Sequence, residues 1–192
     1  MLLNNTPVRT CRKFNINNIE FKGKIPSGIQ KFENTKIFKE TEKDEIVTDF
    51  PFEDFNIKYG TGLVDQIKEQ ANQKIRINVN SRTDKEIRIE YGFDESNLKL
   101  VDYIEINGEE NTTSNIYIVY RNRLCKDNCD DISKRCSGVN CAPYKAFHNG
   151  LIKINTKPNS KMIVNIINLM SKESTNILSI DNRIEESSKS KK

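Results

Sequence analysis

Tryptophan is absent from the 192 residues, histidine occurs once, at His148, and no apolar run approaches a membrane span. A spanning helix needs about 20 consecutive apolar residues, and the opening MLLNNTPVRT lacks the apolar stretch of a secretory signal. The expectation is therefore a soluble, cytoplasmic protein without a membrane role. With one histidine, a His-Glu-x-x-His zinc helix is excluded and a catalytic triad has a single candidate base; a phosphate loop of the form Gly-x-x-x-x-Gly-Lys-Ser/Thr is also missing. A basic footprint is lacking too. The net charge of +4 comes from 31 basic and 27 acidic residues mixed along the chain, with much of the excess in the terminal KSKK, whereas a nucleic-acid surface needs its basic residues clustered on one face. Carboxylate pairs such as Glu109 with Glu110 and Asp130 with Asp131 lie in polar links, where they are solvated rather than set up for acid–base work. No catalytic residue is expected.

What is present is a folded-protein composition, 35% hydrophobic and 30% charged, in a length that fits one domain with a real core. Residues 1–74 read as an N-terminal region of irregular segments, PVRTCRKFNI and FKGKIPSGIQKFENTKIF among them, closed by a short amphipathic helix over 63–72 on which Leu63, Ile67 and Ala71 recur at helical spacing. From residue 75 the period changes to two. Ile75, Ile77 and Val79, then Ile87, Ile89 and Tyr91, then Ile104 and Ile106, then Ile116, Ile118 and Tyr120 alternate with polar residues, and the links between them carry the Asn, Asp, Ser and Gly of turns. The pattern resumes in LIKINT, MIVNIINL and TNILSI, so a mainly β core spans 75–182, interrupted by a cysteine-bearing insert at 122–145 and followed by a polar tail at 183–192. Periodicity leaves an antiparallel meander and a parallel β-solenoid equally open.

Four blocks, in order, resemble the SufB/SufD-like family, the scaffold subunits of the Suf iron–sulfur cluster assembly machine: PVRTCRKFNIN, YGTGLVDQIKEQANQ, KIRINVNSRTDKEIRIEYGFDESNLKLVDYIEI and FHNGLIKINTKPNSKMIVNIINLMSKESTN. The resemblance covers most of the chain apart from Asn34 to Asp54, the insert and the last dozen residues, and Cys11 stands where the family usually has Trp. It implies a right-handed parallel β-helix core behind an irregular, partly helical N-terminal region, in which Ile77, Ile89, Ile118, Ile154 and Val164 stack in ladders. It implies that His148, Asn149 and Gly150 form the turn into a new coil, His148 as a hydrogen-bonded turn residue and Gly150 for its backbone freedom. Its partners would be a Suf-type ATPase or another SufB/SufD-like subunit, in a homo- or heterodimer. The family's ATPase contact and its cluster-building Cys and His belong to a later part that has no counterpart here, so no residue inherits those roles and the expected function is a non-enzymatic scaffold. Degenerate paralogue, product of a split gene and N-terminal module stay open as origins of the short chain.

Five cysteines in a chain without a secretory signal point to thiols or metal ligands rather than a disulfide framework. Cys125, Cys129, Cys136 and Cys141 fall within seventeen residues, and four soft thiolates complete a tetrahedral shell for zinc or hold an iron–sulfur cluster. Their gaps of three, six and four residues match the paired spacing of structural zinc loops only loosely. The alternatives are a metal-binding module built on these four residues and a solvated insertion whose thiols do nothing specific. Cys11 is expected to be a packing residue.

Overall fold

The computed structural model describes residues 25–52, 61–122 and 145–185. Nine strands and one helix account for most of them: β1 Thr35–Lys39, β2 Glu45–Thr48, α1 Thr61–Gln70, β3 Gln73–Val79, β4 Lys85–Phe93, β5 Lys99–Gly108, β6 Thr113–Asn122, β7 Phe147–Thr156, β8 Lys161–Leu169 and β9 Thr175–Ile184. The chain is mainly β, and its strands form two mixed sheets, β1-β4-β6-β8 and β2-β3-β5-β7-β9. Consecutive strands from β3 onward never pair with each other. Each pairs in parallel with the strand two places along, which excludes the meander that periodicity had left open. Among the described strands only β1 and β2 run antiparallel to their neighbours, β4 and β3, so stretches that looked irregular in the sequence supply one outer strand of each sheet.

The reason for this alternation is the spacing of the apolar rows. Residues that sit side by side in the second sheet are 29 apart from β3 to β5, 48 apart from β5 to β7 and 28 apart from β7 to β9, and the larger step contains the insert. A step of 29 residues followed by one of 48 aligns Ile75 with Ile104 and Ile152, Ile77 with Ile106 and Ile154, Ile87 with Ile116 and Val164, and Ile89 with Ile118 and Ile166. Because side chains alternate across a strand, these rows all face the space between the sheets, where they form one apolar cluster with Phe93 and Leu100. Full burial of one such side chain stabilises by about 1.5–3 kcal/mol. Phe32, 1% exposed, closes this cluster beside β4, its ring edge-on to Phe93 at 5.4 Å and to Tyr91 at 6.1 Å.

On the outer side of the second sheet Val64 and Ile67 of α1 pack over Val101, Tyr103 and Leu151. The helix covers this face because its apolar side chains recur at helical spacing, as expected for 63–72, and it spans Thr61–Gln70. Asn72 ends it by docking the chain onto β5: its Nδ2 donates to the carbonyl of Lys99 at 2.9 Å and its Oδ1 accepts from the Val101 amide at 2.8 Å. The links after β5 and β7 share a turn of a different kind, in which Asn111 and Asn159 hold φ of 61° and 59°, a left-handed conformation that asparagine tolerates better than most residues.

Candidate functional site

Residues His148, Asn149 and Gly150 do not form a turn. They lie inside β7, and His148 and Gly150 face the space between the sheets while Asn149 faces α1. The physical reason is register: β7 begins at Phe147 opposite Lys99, which aligns Leu100 with His148 and Asp102 with Gly150. The inward phase of β5 runs Leu100, Asp102, Ile104, Ile106, so a carboxylate occupies a position that the pattern otherwise reserves for apolar side chains.

That carboxylate is the centre of a buried polar cluster. Asp102 and His148 are both fully buried, and the His148 Nε2–H donates to Asp102 Oδ1 at 2.7 Å. The Tyr120 hydroxyl, arriving from the other sheet, donates to Asp102 Oδ2 at 3.0 Å. His148 Nδ1 meets Asn176 Oδ1 of β9 at 2.5 Å, and the imidazole lies against the Tyr120 ring with centroids 4.1 Å apart. Tyr91 stacks on Tyr120 at 5.3 Å with its hydroxyl buried. Burial, reinforced by the Asp102 charge, pushes the phenols of Tyr91 and Tyr120 well above the usual tyrosine range. Gly150 makes room for the cluster: a Cβ there would stand 2.4 Å from Asp102 Oδ1 and 2.6 Å from His148 Nε2. The glycine serves close approach, and its backbone is not left-handed as the turn expectation required.

An Asp–His pair is the orienting half of many general-base arrangements. Here both imidazole nitrogens are engaged and the ring is sealed from solvent, so neither nitrogen is left to a substrate. What the cluster does is tie β5, β6, β7 and β9 together across the two sheets, since each buried polar group depends on a partner from another strand. His148 had no visible partner in sequence because Asp102 lies 46 residues away and Asn176 28; the legible signal was a charge in the apolar phase of β5.

The outer face of the second sheet carries a different kind of polar order. Asn107 Nδ2 donates to Asn78 Oδ1 at 3.1 Å, Asn155 Nδ2 donates to Asn107 Oδ1 at 2.8 Å, and Asn78 Nδ2 donates to Glu45 at 3.0 Å. One row over, Glu105 sits between Arg76 at 3.0 Å and Lys153 at 3.6 Å. The asparagine row and Glu45 border a groove of about 610 Å³ that also takes in Lys157 and Arg183. Glu109 pairs with Lys157 at 2.8 Å at the surface, in keeping with its expected solvated role.

The third feature is the β8–β9 end of the molecule. Among the described residues β8 and β9 are the outer strands of their sheets on this side, and Ile180 and Ile184 of β9 are 55% and 73% exposed although they belong to the inward-facing phase. The opposite end is closed by β1, β2 and Phe32.

Cys125, Cys129, Cys136 and Cys141, and Cys11, lie outside the described residues, and among the described residues no three His, Cys, Asp or Glu side chains are grouped to hold a metal. No described helix is long and apolar enough to cross a membrane. Comparison with protein-family models, with curated proteins and with solved structures finds no match to this chain.

Proposed function

We propose that this chain is a non-enzymatic scaffold or interaction protein built as a right-handed parallel β-solenoid, related to the SufB/SufD-like scaffolds, and that it works in the cytoplasm by docking a partner onto the β8–β9 end. A coil is one strand in each sheet: β3 with β4, β5 with β6, β7 with β8, and β9 opening the next. The parallel pairing at steps of 29 and 28 residues supports this reading, because a repeat of that length with two short strands is what a two-sheet coil consumes. The single observation that carries the docking role is the contrast between the two ends. At one, antiparallel strands and Phe32 cover the apolar rows; at the other, Ile180 and Ile184 are exposed on a strand whose outer edge has no strand partner among the described residues. Uncovered parallel edges and core rows are sites for strand addition by another chain.

The test is an anaerobic pull-down of the tagged chain from its host, with partner identification and metal analysis, repeated with Ile180→Lys/Ile184→Lys. Capture of a Suf-type ATPase or a SufB/SufD-like subunit by the native chain, lost in the variant, supports the reading. Capture of neither, with stoichiometric zinc or iron retained, transfers the function to the four cysteines.

A further inference from the structure

We propose that the outer face of the first sheet, at β6 and β8, is a docking surface for an acidic amphipathic helix of a partner protein. This surface is additional to the end-on docking described above, because it lies on a sheet face and stays open whatever is added to the strand edges.

The pattern of β8 is the starting point. Its inward side chains Met162, Val164 and Ile166 pack against the core. Its outward side chains Ile163, Ile167 and Leu169 are apolar as well, and they are 39%, 37% and 60% exposed. Apolar residues on both faces are the mark of a strand covered on both sides. By contrast β4, in the same sheet, turns Glu86, Arg88 and Glu90 outward. On β6, Val119 lies beside Ile167 and Tyr117 beside Asn165, so the apolar stripe is two strands wide.

The second sheet shows what such a face takes. Its outward Val101, Tyr103 and Leu151 are buried beneath Val64 and Ile67 of α1, whereas the outer face of the first sheet has no helix on it among the described residues. A helix also fits the backbone chemistry. The main chains of β6 and β8 are joined in their own ladder, so the face offers side chains only, and a segment laid on it must satisfy its own N–H and C=O groups. From Ile163 to Leu169 the strand advances about 20 Å, the length of about 13 helical residues.

Charge sets the sign of that helix. Lys161 is exposed on the same face at the start of β8, and Arg121 stands beside Leu169 at the other end of the stripe. The side chains of Arg88 and Arg121 are 44% exposed, while Glu90, held by them at 3.8 and 2.9 Å, is only 16% exposed. Glu86 is tied to Arg88 at 2.5 Å, and Asp84 accepts from the Asn115 amide at 3.1 Å. The carboxylates are thus engaged within the face, and the charges left at the two ends of the stripe are cationic, complementary to acidic residues flanking the apolar side of a helix. An anionic bilayer would also press on Asp84, Glu86 and Glu90, whereas a single helix meets the stripe and its cationic ends.

The experiment replaces Ile167 by the photoreactive residue p-benzoylphenylalanine in the full chain, crosslinks it in the host and identifies the attached peptide by mass spectrometry. The expected product is a segment of one partner protein with apolar residues at i, i+3 or i+4 and i+7 and acidic residues beside them. A synthetic peptide of that segment should become helical on binding the native chain. Ile163→Lys/Ile167→Lys should weaken that binding at least about tenfold, and Lys161→Glu/Arg121→Gln about threefold or more at low salt, less at high salt. All four positions lie on the outer face, and unchanged thermal unfolding shows that the variants are folded. Crosslinks confined to this chain or to lipid overturn the proposal, as does an attached segment without the acidic helical pattern. No crosslink, or peptide binding indifferent to either variant, overturns it too. Ile180→Lys/Ile184→Lys should leave the peptide affinity unchanged, so failure of the end-on docking and failure of this surface are read separately.

Discussion

Replacing Asp102 by alanine tests whether the buried polar cluster behaves as a unit. In Asp102→Ala the Tyr120 hydroxyl loses its acceptor at 3.0 Å and the His148 Nε2–H loses its own at 2.7 Å. Neither can turn to water, because both side chains are fully buried. An unpaired buried donor costs about 1–3 kcal/mol, and two together, like the loss of one member of a buried pair, cost about 3–5 kcal/mol. That is a large part of the 5–15 kcal/mol or so that holds a typical domain folded. For a chain of this size about 1 kcal/mol moves Tm by roughly 2–4 °C, so a fall of about 6–20 °C is expected, with a matching drop in the urea midpoint at unchanged slope. The sharper readout is a double-mutant cycle with His148→Ala. Groups that share a network couple by about 0.5–3 kcal/mol, while independent sites add to within about 0.5 kcal/mol. A cost of Asp102→Ala below about 1 kcal/mol, or additivity with His148→Ala, would refute the argument that these side chains stabilise one another.

Three further outcomes are expected. Gly150→Ala drives a methyl group into the Asp102–His148 hydrogen bond and should cost at least about 1–3 kcal/mol by overpacking; a neutral effect in chemical denaturation would show that the cluster yields freely. Tyr91 and Tyr120 ionise at a higher pH folded than unfolded, chiefly through burial, so above the unfolded value of about 10 the unfolded chain releases protons first. Stability then falls as pH rises, by about 1.4 kcal/mol per pH unit for each tyrosine, and is unaffected by them below that point; Tyr120→Phe should roughly halve the alkaline slope of the urea midpoint, and an unchanged slope would count against the burial of that phenol. Phe32→Ala opens the closed end of the core beside Tyr91 and Phe93 and should cost about 3–5 kcal/mol, measured by thermal unfolding; a cost near that of a surface change would mean that Phe32 does not close the core.

Much of the secondary structure was legible because period two and period 3.6 are local properties. Alternation at Ile75–Val79, Ile87–Tyr91 and Ile116–Tyr120 marks β3, β4 and β6 without reference to anything distant, and Leu63, Ile67 and Ala71 mark α1. Strands β1 and β2 were not legible: each is only five or four residues long, with no sustained alternation of its own, and each becomes a strand by pairing with β4 or β3. The HNG segment misled because Asn and Gly are turn formers by local preference, whereas in β7 the glycine is required by Asp102, its neighbour across the ladder on β5.

By itself, then, the sequence determined that short strands with one apolar face would dominate, since burial of alternating side chains needs no knowledge of the partner strand. Which strands pair, and that they pair in parallel at steps of 29, 48 and 28 residues, was decided only in the tertiary structure, because a hydrogen-bonded ladder is a relation between distant segments. The same holds for the lone histidine. Its chemistry is set by Asp102, Tyr120 and Asn176, three residues that nothing in their own neighbourhoods assigns to it, and the fold alone places them within hydrogen-bonding or stacking distance of one imidazole.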